Sequence, residues 1–174
     1  MLVLTSCHYR FGYGDLPERY TTISIPYVKG DDDGSLTAAV IRQVSTSGGL
    51  RYVSHGGDLT LHIELIEVRD ENIGFRYDRN KQGCRKKGII PTETRLIALA
   101  EVSILETKSH KIIRGPTRVV TSVDFDHDYY YSRHRINIFS LGQLSDIDAA
   151  QEVAMQPLNR RLAEKIADFV INSW

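Results

Sequence analysis

Leu59-Thr60-Leu61-His62-Ile63-Glu64-Leu65-Ile66 decides the fold. Leu59, Leu61, Ile63 and Leu65 alternate with Thr60, His62, Glu64 and Ile66, so an extended chain turns the first set to one side and the mostly polar second set to the other. The stretch is predicted as a strand with one buried and one wetter face, and a face of that kind needs a cover. Downstream, Arg95 to Leu105 repeats the pattern with Leu96, Ala98, Ala100, Val102 and Ile104, although Ile97 and Leu99 interrupt its second face. After a turn at Lys108 to Lys111, Val119, Thr121, Val123 and Phe125 continue the ladder.

Upstream, Ile23, Ile25 and Tyr27 alternate with Thr22, Ser24 and Pro26, a short strand with a proline near its exit. Asp31-Asp32-Asp33-Gly34-Ser35 then supplies a turn, negative charge for a helix N-terminus and Ser35 as a cap, before Leu36, Ala39, Val40, Gln43 and Val44 recur at helical spacing. Gly48-Gly49 should end this helix, and residues 48–53 are read as a turn. Near the carboxy terminus Leu158, Leu162, Ile166, Phe169 and Val170 form one stripe, with Arg160, Arg161, Glu164, Lys165 and Asp168 mostly off it, and Pro157 is expected to kink or start the regular part. The order β-α-β-β-β-α predicts an α+β fold. It is a two-layer sandwich, a mixed four-stranded sheet with two helices on one face and its first two strands parallel.

With 174 residues, one domain is expected: residues 20–174 as the sandwich and residues 1–19 as a tether. Lysine plus arginine balances aspartate plus glutamate at 22 each, so no overall field favours nucleic acid. No run reaches the roughly 18 to 20 apolar residues of a membrane-spanning helix, so any membrane attachment is expected to be covalent. Cys7 and Cys84 lack the paired spacing of a zinc site.

Leu4-Thr5-Ser6-Cys7 looks like a lipobox, an aliphatic and two small residues before a cysteine to be diacylated. Two readings stand: Cys7 is the lipid attachment residue, or it is an ordinary residue near a terminus. What precedes it is shorter than a signal peptide with its roughly 7 to 15 apolar residues, so a positively charged apolar segment is expected upstream. After Cys7 come His8-Tyr9-Arg10-Phe11, Gly12, Gly14, Leu16-Pro17 and Tyr20-Thr21-Thr22-Ile23-Ser24-Ile25-Pro26. Farther on lie Gly48-Gly49-Leu50-Arg51-Tyr52-Val53 and Leu158-Asn159-Arg160-Arg161-Leu162-Ala163-Glu164-Lys165-Ile166. In joint order these resemble the LptE family of lipopolysaccharide-assembly lipoproteins. The resemblance implies a non-catalytic protein without a cofactor, lipid-anchored to the periplasmic leaflet of the outer membrane, that plugs and helps assemble the β-barrel LptD and binds lipopolysaccharide.

Residues 74–88 hold Arg76, Arg79, Lys81, Arg85, Lys86 and Lys87 among Phe75, Tyr77 and several glycines. They are read as a flexible tip whose cations pair with phosphates or carboxylates of a lipid headgroup; a solvated charged tip is the plainer alternative. The family's loop carries a basic residue after an aromatic, and Phe75-Arg76 resembles that placement. A second tip, residues 124–137, holds His127, Tyr129-Tyr130-Tyr131, Arg133, His134 and Arg135. The resemblance implies that Arg133 and Arg135 complete the anion site, and the histidines are read as exposed loop residues whose spacing fits no standard zinc site. Asp31 to Asp33 lack a calcium-loop pattern. No Gly-x-Ser-x-Gly, Walker A or His-Glu-x-x-His motif is present. Cys84 lies beside Arg85, Lys86 and Lys87, but a catalytic cysteine needs a base and an orienting group, and nothing in the sequence nominates them. The rival is an envelope scaffold or small-ligand carrier, for which a deep apolar pocket between the layers would be expected.

Overall fold

The computed structural model of the protein describes residues 16, 19–80, 82–127 and 147–172. The elements are β1 (Thr22–Ser24), α1 (Ser35–Ser47), β2 (Arg51–Val53), β3 (Leu59–Arg79), β4 (Arg85–Glu106), β5 (Ile112–Asp126) and α2 (Ile147–Asn172). They make an α+β sandwich whose mixed sheet runs β2-β1-β3-β4-β5, with β1 parallel to both β2 and β3 and the other pairs antiparallel. Among the described residues the sheet has five strands rather than the expected four. Arg51, Tyr52 and Val53, read from sequence as part of a turn, pair with Thr22, Ile23 and Ser24. With three residues and no clear alternation, such a strand has no periodic signal; its partner creates it.

The core face follows from the alternation. Leu59, Leu61 and Ile63 of β3 and Leu96, Ala98, Ala100, Val102 and Ile104 of β4 are buried, as are Leu36, Val40 and Val44 of α1 and Leu158, Leu162, Ile166 and Val170 of α2. Small Ala98 and Ala100 at the centre of β4 leave room for α2, which packs on β4 and β5 with α1 beside it. α2 continues through Pro157 from a start ten residues earlier, rather than beginning there. β1 is shorter than its alternation promised. Ile23 and Ile25 are buried, but Tyr27 turns out and Val28 takes the inward place.

α1 starts differently from the expectation. Ser35 is its first helical residue, and the cap position is Gly34, at φ 76°, which makes no side-chain cap. The acceptor is Asp31, whose carboxylate takes the Leu36 amide at 3.4 Å, the Thr37 amide at 2.7 Å and the Thr37 hydroxyl at 2.6 Å. Asp33 takes the Ser35 amide at 2.9 Å, and that bond holds its carboxyl below the ordinary range. The aspartate run is therefore a helix-capping device.

β5 is the outer strand on one side of the sheet. The Arg161 guanidinium donates to the Ser122 carbonyl at 2.9 Å and the Lys165 ammonium to the Val120 carbonyl at 2.6 Å, so two exposed cations of α2 cap backbone acceptors of this edge.

Candidate functional site

The basic segment is built as strand, not as a flexible loop. β3 and β4 run on together past the last residue paired with β5, Glu93, as a two-stranded ribbon with Phe75 opposite Pro91, Arg76 opposite Ile90, Tyr77 opposite Ile89 and Arg79 opposite Arg85. Among the described residues, Asn80 and residues 82–84 turn the chain. The Asn80 side-chain oxygen accepts the Gln82 amide at 3.0 Å and the Cys84 amide at 2.8 Å, while the Asn80 carbonyl accepts the Gly83 amide at 2.9 Å. Gly83 sits at φ 80°, a conformation that suits a residue without a side chain. Sequence reading missed the ribbon because six of the fifteen residues from 74 to 88 are basic and no apolar alternation survives. Cross-strand hydrogen bonding does not need that alternation.

The register gives the ribbon two chemical faces. Phe75, Tyr77, Ile89 and Pro91 share one, where Phe75, Tyr77 and Ile89 are more than half exposed. Arg76 shares the opposite face with Asp78 and Ile90. Arg79, Arg85, Lys86 and Lys87 crowd the tip, all exposed, with the Arg85 guanidinium 5.4 Å from the Tyr77 ring centre. Lys86 reaches Asp78 at 3.1 Å; among the described residues the other basic residues of the ribbon have no ion-pair partner. Chemically, this is a hydrogen-bonded finger with exposed aromatic and aliphatic groups along one face and cations around its end. It suits an amphiphile with an anionic head.

The structure unites Arg76, Arg79, Arg85, Lys86 and Lys87 on that finger. Cys7, Lys81, Arg133 and Arg135 lie outside the described residues, as do Tyr129 to Tyr131 and His134. Cys84 is exposed at the turn with a free thiol. His127 corrects the expectation of an exposed loop histidine: it is buried at the ribbon base, its Nε2 2.9 Å from the Thr94 hydroxyl, which in turn donates to Asn72 at 2.9 Å. Among the described residues no group of three or more His, Cys, Asp or Glu is placed to hold a metal ion. None of their helices is long and apolar enough to cross a membrane.

Asp58, which the sequence did not single out, ties the first two long-range strands together. Its carboxylate accepts the Thr21 amide and hydroxyl, both at 3.1 Å, and the Thr22 amide at 3.0 Å and hydroxyl at 2.8 Å. Those four bonds pull its pKa down to about 2. Gly56-Gly57-Asp58 before a strand was the available signal, a turn acid, but its threonine partners lie 36 and 37 residues away in sequence.

No family model matches this chain, and no curated protein is similar to it in sequence. Solved structures share its fold. A minor lipoprotein from Acinetobacter baumannii superposes with a TM-score of 0.51 at 12% identity, covering 87% of this chain and 90% of that one. Protein XCC0632 from Xanthomonas campestris, of the DUF330 type, gives 0.51 at 10% identity, covering 88% and 85%. At such identities the likeness is one of fold alone.

Proposed function

We propose that this chain is a non-catalytic lipoprotein of the cell envelope, anchored through Cys7 to the periplasmic face of the outer membrane, whose ribbon binds lipopolysaccharide during its assembly. The observation that carries the reading is the shared exposure of Phe75, Tyr77 and Ile89 on one face of a finger that also bears Arg76, Arg79, Arg85, Lys86 and Lys87. Anionic sugars and phosphates of the lipid pair with the cations, and the adjoining apolar face covers the first methylenes of the acyl chains. A solvated tip has no use for three large apolar side chains in water. The likeness to the LptE family points to LptD as the barrel partner, with the narrow sandwich entering its lumen. The lipobox and the fold shared with a minor lipoprotein support the anchor.

Two variants of the full, acylated chain test the reading. Reversing the charges of Arg76, Arg79, Lys81, Arg85, Lys86 and Lys87 should leave thermal unfolding close to the parent, because exposed charges change stability by less than about 1 kcal/mol each. Binding to purified lipopolysaccharide should weaken and lose its salt dependence. Replacing Phe75, Tyr77 and Ile89 by serine should weaken binding while keeping that salt dependence. If both variants bind as the parent does at matched salt, the ribbon is not the lipid site. Isolation of the acylated protein from outer membranes should bring LptD with it; recovery without any barrel would remove the partner.

A further inference from the structure

A different part of β3 offers backbone rather than charge. β1 pairs with β3 only at Leu59 and Thr60, and Lys29 adds a single bridge at Glu64, donating its amide to the Ile63 carbonyl at 3.1 Å and accepting the Leu65 amide at 2.8 Å. Beyond Leu65 no described strand lies on this side, although β3 runs on for fourteen residues to Arg79. Ile66 is an extra residue in the ladder: Leu65 faces Ala100 and Glu67 faces Leu99. The bulge shifts the hydrogen-bonding alternation by one. Leu65 turns its amide outward, so after the bulge Glu67, Arg69 and Glu71 bond to β4, and Val68, Asp70 and Asn72 turn their amides and carbonyls out. The β5 side agrees, since Val120 and Ser122, opposite Leu99 and Ile97, present carbonyls to α2. Every residue from Ile66 to Asn72 is exposed.

Beside this edge lies a cleft of about 540 Å³ whose walls include Leu65, Ile66, Val68 and Met155, with Asp32 and Glu67 at its rim. Val68, Asp70 and Asn72 share the core-side face of the sheet with Ala98, Leu96 and Thr94. An incoming strand's residues on that side would enter the cleft against Ile66, Val68 and Met155, and its alternate residues would lie beside Glu67, Arg69 and Glu71 on the other face. From Glu67 to Glu71 the edge carries three carboxylates against one guanidinium, Arg69, which lies 3.9 Å from Glu67, so a second copy would bring the same net negative charge to it. A basic strand meets opposite charge instead.

We propose that the free edge of β3 from Val68 to Asn72 is a strand-addition site for an extended segment of a partner protein, one in which apolar residues facing the cleft alternate with lysine or arginine. The bulge at Ile66 follows the last backbone bond from Lys29, at Leu65, just before the partner's strand begins. Strand addition of this kind takes affinity from main-chain bonds and specificity from alternate side chains. The site is separate from the ribbon tip and does not depend on lipid binding there.

The probe is a blocked peptide in which valine alternates with lysine, added to the full chain at up to about 1 mM, the weak end of specific recognition. Amide hydrogen exchange of Val68, Asp70 and Asn72 should slow by roughly tenfold or more, while Glu67, Arg69 and Glu71, already bonded to β4, change little. The same peptide N-methylated along one edge should give no protection. Glu67→Lys with Glu71→Lys keeps the backbone and should release the lysine peptide while admitting one that alternates valine with glutamate. Asp70→Pro removes one outward donor at an edge position and should abolish protection at Val68 and Asn72 with the fold retained. Unchanged exchange at Val68, Asp70 and Asn72, equal slowing along the whole stretch, or undiminished binding of the methylated peptide would each overturn the proposal.

Discussion

Asp31→Ala should cost far more than its place in a run of three aspartates suggests. The side chain is 5% exposed and accepts three hydrogen bonds, two of them from the Thr37 amide and hydroxyl. Thr37 Oγ1 in turn accepts the Val28 amide at 3.1 Å, so one carboxylate fixes the start of α1 and the chain leaving β1 together. Loss of a helix cap costs about 1 kcal/mol, and a buried donor left without an acceptor about 1 to 3 kcal/mol. The sum is about 2 to 4 kcal/mol, which for a chain of this size lowers Tm by roughly 4 to 16 °C. Asp32 is exposed, and Asp32→Ala should stay within about 0.5 kcal/mol of the parent. Urea unfolding followed by circular dichroism, with equal m-values in all three proteins, measures the difference. If Asp31→Ala and Asp32→Ala unfold alike, the aspartates act only through their charge and the capping argument fails.

Asp58→Asn should flatten part of the acid limb of stability. The folded carboxyl lies at about 2 against an ordinary 3.8, so its stabilisation is complete above pH 4 and drains away as the pH falls towards 2. The variant should therefore be less stable than the parent at neutral pH and converge with it near pH 2, as read by thermal unfolding across that range. Leu61→Ala, in the fully buried row of β3, should lose about 2 to 5 kcal/mol through a cavity, whereas Ile66→Ala, half exposed at the bulge, should lose less than half as much; chemical denaturation of the pair reads the contrast. Arg95→Ala breaks a two-pronged pair with Asp124, at 2.7 and 2.8 Å, but on an exposed face, so unfolding free energy should fall by no more than about 1 kcal/mol.

The layers of this protein were legible wherever side-chain alternation met burial. Leu59 to Leu65, Leu96 to Ile104 and the Leu158 stripe announce their elements because each faces the core along its whole length. The signal failed where backbone pairing alone makes the strand: Arg51 to Val53, held by its parallel neighbour β1, the part of β3 that leaves the core at the bulge, and the ribbon part of β4 before Glu93. The candidate site fell in that second region. Its cations were visible in sequence, but their placement on a ribbon was not, nor was the exposed face of Phe75, Tyr77 and Ile89, since facing depends on a register broken several times between Leu65 and Arg79. His127 was misread for a similar reason: a histidine beside aspartates and tyrosines looks solvated until Thr94 and Asn72, far away in sequence, close over it.

The two cations that cap β5 come from the last helix, and that sets a timetable for biosynthesis. Lys165 lies 39 residues beyond Asp126, the end of the strand it caps, so in a chain that emerges from its amino end the strand is complete before its caps arrive. During that interval β5 presents uncapped acceptors along its outer side, beside core residues still waiting for Leu158, Leu162 and Ile166 to cover them. A premature stop anywhere upstream of Arg161 would make this condition permanent, so chains that end early should aggregate or be degraded more readily than the full chain.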